Sequence, residues 1–246
     1  EIKNIKNVFV QPAMDDSGTA LGSALIINKK TSKKNLSFDT IYLGPSYEEK
    51  IIIKAINKYD LNAIKVKKFH SKVAHELNLG KVVGRFSDRL EWGPRALGNR
   101  SILVKPDDPK INDVLNKRLN RTEFMPFAPI ILEDDASKII EKYSKEHISA
   151  KFMTMTYDIN TKYKDKIKAA IHVDNTARPQ VLNKRDNSDI YKILKHYKKL
   201  TGIGVILNTS FNLHEEPIVN TPDDAIKAFI SGAVDILSIE DYIIYR

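Results

Sequence analysis

The chain has no cysteine among its 246 residues. That removes disulfide frameworks, thiolate zinc sites, cysteine nucleophiles and thiol redox chemistry together, so any metal must be held by His, Asp, Glu or water. It also lacks any apolar run near the roughly 20 residues needed to span a bilayer. The N-terminal Glu-Ile-Lys-Asn has neither a signal-peptide apolar core nor an initiator Met. These absences point to a cytoplasmic protein without a membrane partner, and to a piece of a longer chain. No Gly-x-Ser-x-Gly elbow occurs, which argues against a serine triad.

Acidic residues are outnumbered, 31 Asp and Glu against 40 Lys and Arg, giving a formal charge of +9. That balance suits anionic partners such as phosphates, nucleotides or RNA. The lysines, however, are spread along the chain in small clusters such as Lys29-Lys30, Lys33-Lys34, Lys67-Lys68 and Lys198-Lys199. They lack the aromatic interleaving of a single-strand platform, so a solvated Lys-rich surface is favoured over a nucleic-acid site. With 42% hydrophobic residues the chain can bury one substantial core, alone or with a small appended unit.

Periodicity predicts a mixed α/β protein. Residues 7–10 read as a strand, followed by a turn and a helix over 19–27 with small residues facing inward. Residues 28–43 are polar and Lys-rich like a connector, and a helical pattern follows over 47–57. The main domain is expected from about Ser71. It alternates strands at 81–86, 101–104, 129–132, 152–157, 169–173 and 204–207 with helices at 108–120, 135–143, 189–200 and 222–230. Thr221 is placed to cap the last of these helices, and two short strands close the chain.

Five polar clusters carry candidate chemistry. Glu91-Trp92-Gly93-Pro94-Arg95-Ala96-Leu97-Gly98-Asn99-Arg100-Ser101 sets arginines among turn residues, suited to phosphate, or alternatively to ion pairs with Glu91 and its neighbours. His172-Val173-Asp174-Asn175-Thr176-Ala177-Arg178-Pro179-Gln180 follows a predicted strand end. Its His and Asp, two apart on extended backbone, would share a side as an acid/base or metal pair, with Arg178 on an anion. A structural His and an Arg–Asp pair are the alternative. Asn208-Thr209-Ser210-Phe211-Asn212 offers uncharged donors after a buried strand, as a ligand site or a capped turn. The stretch from Asn116 to Pro129 is basic. There the helix dipole accounts for Lys117 and Arg118 as well as a phosphate would, whereas Arg121 lies past the helix and reads as the ligand-facing residue. Asp15-Asp16-Ser17-Gly18 can ligate a metal or cap a helix.

Taken in order, Asp-x-Gly-x-Ala-Leu-Gly, Glu-Trp-Gly-Pro-Arg-Ala-Leu-Gly-Asn-Arg-Ser, Met-Pro-Phe-Ala-Pro, His-Val-Asp-x-Thr-Ala-Arg-Pro-Gln and Asn-Thr-Ser-Phe-Asn closely resemble the nodulation and antibiotic-biosynthesis O-carbamoyltransferase family. The resemblance covers nearly the whole chain. It implies a YrdC-like twisted mixed sheet with helices over residues 71–246, a connector over 31–70, and over 1–30 a strand-helix remnant of an actin/hexokinase-like domain. It also implies a two-stage reaction. Carbamoyl phosphate is cleaved, the carbamate and ATP give carbamoyl adenylate and pyrophosphate, and the carbamoyl group then passes to a hydroxyl-bearing small molecule or sugar. Arg95, Arg121, Arg178, Ser210 and Asn212, with Lys117, would bind carbamoyl phosphate. His172 and Asp174 would orient arginines or move protons. Asp16 matches the Asp-x-Gly ligand of a divalent metal (iron or magnesium), but the paired histidines that should precede it are absent, so the metal site is incomplete. Two positions depart from the pattern: Asp88 where Gly is usual, and Asn120 near a usual Lys, which leaves Lys117 or Arg121 to supply a phosphate contact.

Overall fold

The computed structural model describes residues 8–32, 40–121 and 127–246. The elements in chain order are α1 (Asp16–Thr31), α2 (Glu49–Lys58), β1 (Ala63–Lys65), α3 (Phe69–Asn78), β2 (Val83–Phe86), β3 (Arg100–Val104), α4 (Lys110–Arg118), β4 (Ala128–Leu132) and α5 (Glu133–Ile139). They continue with β5 (Tyr157–Asp158), α6 (Thr161–Lys164), β6 (Thr176–Ala177), β7 (Gln180–Leu182), α7 (Ser188–Thr201), β8 (Val205–Ser210), α8 (Pro222–Ile230), β9 (Ile236–Ile239) and β10 (Tyr242–Tyr245). The architecture is mixed α/β, as the periodicity predicts.

Eight strands form one sheet in the order β1-β10-β9-β2-β3-β8-β4-β7. The pairs β2/β9 and β4/β7 are parallel, and the other neighbours are antiparallel. Successive residues of a strand face opposite sides of the sheet. Leu103 and Ile206 therefore join the core under α3 and α7, while Ile102, Val104, Val205 and Leu207 join the core that includes α2 and α8. Because β8 is central and covered on both faces, it reads as an unbroken apolar run until its polar end.

The helices seat themselves by recognisable local chemistry. In α7, Ile190, Ile193, Leu194 and Tyr197 recur at helical spacing and are all buried. Each such burial contributes about 2 kcal/mol. The Asn187 side chain accepts from the Ile190 N–H to start the helix, and Gly202 ends it at φ +78°, a conformation that glycine adopts without strain. Thr221 and Asp224 form a reciprocal capping box at the start of α8, with Pro222 in its first turn.

Several segments depart from the sequence expectation. Residues 8–10 form no strand, and Asn7 lies outside the described residues. None of the residues of α1 is buried, so its small residues do not face a core. Part of the expected connector belongs to the fold: Ile52, Ala55 and Ile56 of α2 enter the core, and β1 pairs with β10 at the sheet edge. The residues at 33–39 lie outside the described ones. The helix expected over 135–143 ends at Ile139, because Ile140 turns to bridge Ile159. Of the strand expected over 152–157 only Tyr157 remains extended, since the chain turns at Met153 with φ +56°. Residues 165–170, in place of a strand over 169–173, wind into a 3₁₀ turn.

Candidate functional site

The end of β8, the start of β3, the start of β4 and the end of β2 lie at one edge of the sheet, as the registers Ser101↔Ser210, Ala128↔Asn208 and Phe86↔Arg100 require. The loop over 91–99 lies against this edge and is held from many sides. The buried Glu91 carboxylate accepts the N–H groups of Leu97 at 2.7 Å, Asn99 at 2.8 Å and Arg100 at 3.4 Å. Burial pushes this carboxyl up from its ordinary range, and the backbone donors oppose that shift. The Leu97 carbonyl accepts from Tyr42 Oη and Gln180 Nε2, each at 2.9 Å. Asn208 Nδ2 donates to the Ala96 carbonyl at 2.7 Å, and Asn187 Nδ2 to Asn99 Oδ1 at 2.8 Å. At Gly98, φ is +117° and a Cβ would press on Ile190, so only glycine fits.

Arg100 anchors the base of this loop. It is fully buried, lies 3.7 Å from the Phe86 ring centroid, and donates to the carbonyls of Ser87, Asp88 and Asn99. Burial lowers its guanidinium to about 10. Arg85, equally buried, pairs with Asp189 at 3.2 Å, and that carboxylate also meets His70 Nε2 at 2.9 Å. The alternative in which the loop's arginines pair with Glu91 therefore holds only as a longer-range attraction to Arg100. The direct partners of Glu91 are backbone donors.

Arg95 and Arg178 differ from those two. An enclosed Nε–H without an acceptor is common to all four, but Arg95 and Arg178 are half-buried and, among the described residues, have no hydrogen-bond acceptor or ion pair at any guanidinium nitrogen, whereas Arg85 and Arg100 bond through their Nη groups. Burial lowers the Arg178 guanidinium, and the charge of Arg95 lowers it further, which marks the two as neighbours. Nearby, Arg121 Nη1 donates to Thr209 Oγ1 at 3.1 Å and its Nη2 to Ser210 Oγ at 3.3 Å. Burial lowers this guanidinium too. Ser210 Oγ in turn donates to Asn212 Oδ1, and Asn212 Nδ2 donates to the Glu216 carbonyl at 2.9 Å. Arg121, Ser210 and Asn212 thus form one chain of hydrogen bonds, with the serine proton and both amide protons already in use, the second amide proton on the Leu213 carbonyl at 3.0 Å.

His172 and Asp174 sit on a tight turn, where the sequence suggests extended backbone. Asp174 Oδ1 accepts from both the N–H and the Oγ1 of Thr176, at 3.0 and 2.8 Å, and His172 Nδ1 lies 3.2 Å from the same hydroxyl. The two side chains therefore meet through Thr176. Burial, helped by Arg178, holds the imidazole below its ordinary value, while the Thr176 bonds hold Asp174 low. Lys117 is exposed in the last turn of α4 and no described contact brings it to the cluster, whereas Arg118 pairs with Asp235 at 2.7 Å. Thr122 to Pro126, which include part of the Met-Pro-Phe-Ala-Pro motif, lie outside the described residues.

Asp16 is exposed at the start of α1, and it is Asp15 that caps the helix by accepting from the Ser17 N–H. Among the described residues no three His, Asp or Glu side chains gather to hold a metal ion. No helix among them is long and apolar enough to cross a membrane. The loop-holding residues Tyr42, Gln180 and Asn187 escape a reading by sequence because amides and a phenol carry no charge pattern. The role of Glu91 was within reach, as a lone acid inside a Gly-Pro turn motif.

A family model described as the carbamoyltransferase C-terminus matches residues 74–246. Similar proteins include the uncharacterized protein MJ1058 of Methanocaldococcus jannaschii, 36% identical over 98% of this chain and 40% of its own length. Nodulation protein NolNO of Sinorhizobium fredii is 33% identical over 98% of this chain and 36% of its own. Nodulation protein U of Rhizobium fredii is 34% identical over 85% and 34%. The chain thus spans less than half the length of each of these relatives. Among solved structures, full-length HypF in a phosphate- and nucleotide-bound form is similar over 73% of this chain and 22% of that one, with a TM-score of 0.49 and 17% identity.

Proposed function

The chain belongs to the carbamoyltransferase C-terminal family, and from that premise we propose that its arginine cluster binds carbamoyl phosphate on behalf of an ATP-dependent O-carbamoyltransferase. The observation that carries this reading is the pair Arg95 and Arg178, two neighbouring half-buried cations to which no described residue offers an acceptor or a carboxylate, each with an enclosed Nε–H left over. An orphaned buried donor costs about 1–3 kcal/mol, and a phosphoryl group offers the oxygens that would remove that cost.

In the proposed sequence, water cleaves carbamoyl phosphate to carbamate and phosphate. The carbamate oxygen then attacks the α-phosphorus of ATP, giving carbamoyl adenylate and releasing pyrophosphate, and a hydroxyl finally takes the carbamoyl group and releases AMP. Arg95 and Arg178 hold phosphoryl oxygens. Arg121, already aimed at Ser210, faces the carbamoyl oxygen where negative charge gathers during cleavage. Asn212 fixes the Ser210 hydroxyl, leaving its lone pairs to Arg121. His172, kept neutral by burial, is able to take a proton from the attacking water, and Asp174 holds its turn through Thr176. Lys117, exposed in the last turn of α4, contributes only to the long-range positive field. The hydroxyl acceptor, and any metal matched by Asp16, are assigned to the rest of the longer protein.

Carbamoyl phosphate should raise the Tm of the chain and release phosphate in its presence. Arg178→Ala should abolish both effects, and Arg121→Ala should weaken cleavage more than Lys117→Ala. A transfer RNA that binds tightly at moderate salt, with no thermal shift from carbamoyl phosphate, would replace this reading with an RNA-binding one.

A further inference from the structure

A second candidate site lies away from this edge, in a groove of about 470 Å³ between α3 and α7. Its volume falls within the range of small-molecule clefts, about 300–1,000 Å³. Lys68, just before α3, and Lys72 and His75 within it line one wall, His196 and Lys199 of α7 the other, and every ionisable side chain on the wall is basic. By contrast, the cleft beside Arg85 carries as many carboxylates as cations, and the cleft at the end of β3 sets Asp107 and Asp108 among its lysines.

The contrast also runs along α7 itself. Lys192, Lys195 and Lys198 each meet an aspartate, at 3.5, 3.5 and 2.6 Å. One residue on from Lys198, Lys199 has no carboxylate partner among the described residues, and neither have Lys68 and His75, while Lys72 is matched by Glu76 at 2.7 Å. Burial together with the charges of Lys199 and His70 holds the His196 imidazole below its ordinary value. A concave wall of one sign focuses its field on the space in front of it. Val66 and Leu200 add an apolar margin.

We propose that this groove binds a small molecule bearing two or more phosphoryl groups, held by Lys68, Lys199 and the two imidazoles, with an apolar moiety set against Val66 and Leu200. The space is larger than one phosphate fills, and the cations come from both walls, which favours a linear polyphosphate over a single anion. The site is separate from the carbamoyl-phosphate reading and stands without it.

The probe is inorganic tripolyphosphate, titrated into the full chain labelled at histidine nitrogens at ~0.1 M salt, with His75 and His196 followed by NMR. Both imidazoles should shift saturably, and His196 should become more basic. The double variant Lys68→Glu, Lys199→Glu should weaken this binding about tenfold or more at an unchanged Tm, while Arg95→Ala leaves it intact. Three results would overturn the proposal: no saturation below about 10 mM, unchanged affinity in the double variant, or equal affinity for a glutamate oligomer, which would make the groove a general polyanion surface.

Discussion

Two sets of arginines stand within one small region and have opposite fates. Arg100 is wholly buried, stacked on Phe86 and bonded to carbonyls of the loops around it. Arg95, five positions earlier in the same motif, meets no hydrogen-bond acceptor or carboxylate among the described residues and stands beside a second cation, Arg178. Charge and residue type are identical, so the sequence motif cannot distinguish them. What differs is the supply of acceptors: loop carbonyls converge on Arg100, while the edge of the sheet gives Arg95 none. An arginine matched by the protein holds shape, and one left unmatched is available to an external anion.

Substitutions should separate the two sets. The largest effect is expected from Arg100→Leu, which strands several buried carbonyls at about 1–3 kcal/mol each. Its denaturation midpoint should fall by an amount matching about 3 kcal/mol or more, and an unchanged midpoint would erase the distinction. Next comes Glu91→Gln. All three backbone donors meet Oε1, which an amide oxygen can replace, but the bonds become neutral ones of about half the strength, so a loss of about 1 kcal/mol is expected, together with a higher KM for carbamoyl phosphate and a smaller change in kcat.

Arg178→Lys should leave stability within about 0.5 kcal/mol, yet weaken carbamoyl-phosphate binding about tenfold, since an ammonium lacks the planar fork. Calorimetry reads both quantities. The smallest effect is a titration. The His172 imidazole is depressed in the folded chain, so its contribution to stability is present above the ordinary histidine value of about 6.5 and is lost as pH falls through the lower folded value. A bound anion beside Arg178 should move that titration upward in an NMR experiment, and a fixed titration would place His172 away from the ligand.

Much of this fold is legible in the sequence because burial and period coincide. The run Val205 to Leu207 can only be an internal strand, and Thr221-Pro222-Asp223-Asp224 spells a capped helix start. The failures lie where side chains outcompete the ladder. Asp174 captures Thr176 and bends what reads as a strand, and Met153 turns inside an alternating segment. The helical pattern over 47–57 is legible, but the lysine-rich stretch before it reads as a connector and hides that Ile52, Ala55 and Ile56 of α2 belong to the core. In the site, the arginines stand out by charge and the Ser210-Phe211-Asn212 run by its polarity after an apolar strand. The internal use of the serine and asparagine protons is a matter of geometry that no spacing reveals.

The loop over 91–99 is secured by Tyr42, Gln180, Asn187 and Asn208, which come from widely separated stretches of the chain. Such a loop cannot take its final form early in folding, because each of its restraints closes a long segment. The position of Arg95 is therefore among the last features to settle. Amide exchange at Leu97 and Asn99 should report opening of the whole sheet rather than of a local turn, so a partly folded chain would carry most of its secondary structure and none of its grip on an anion.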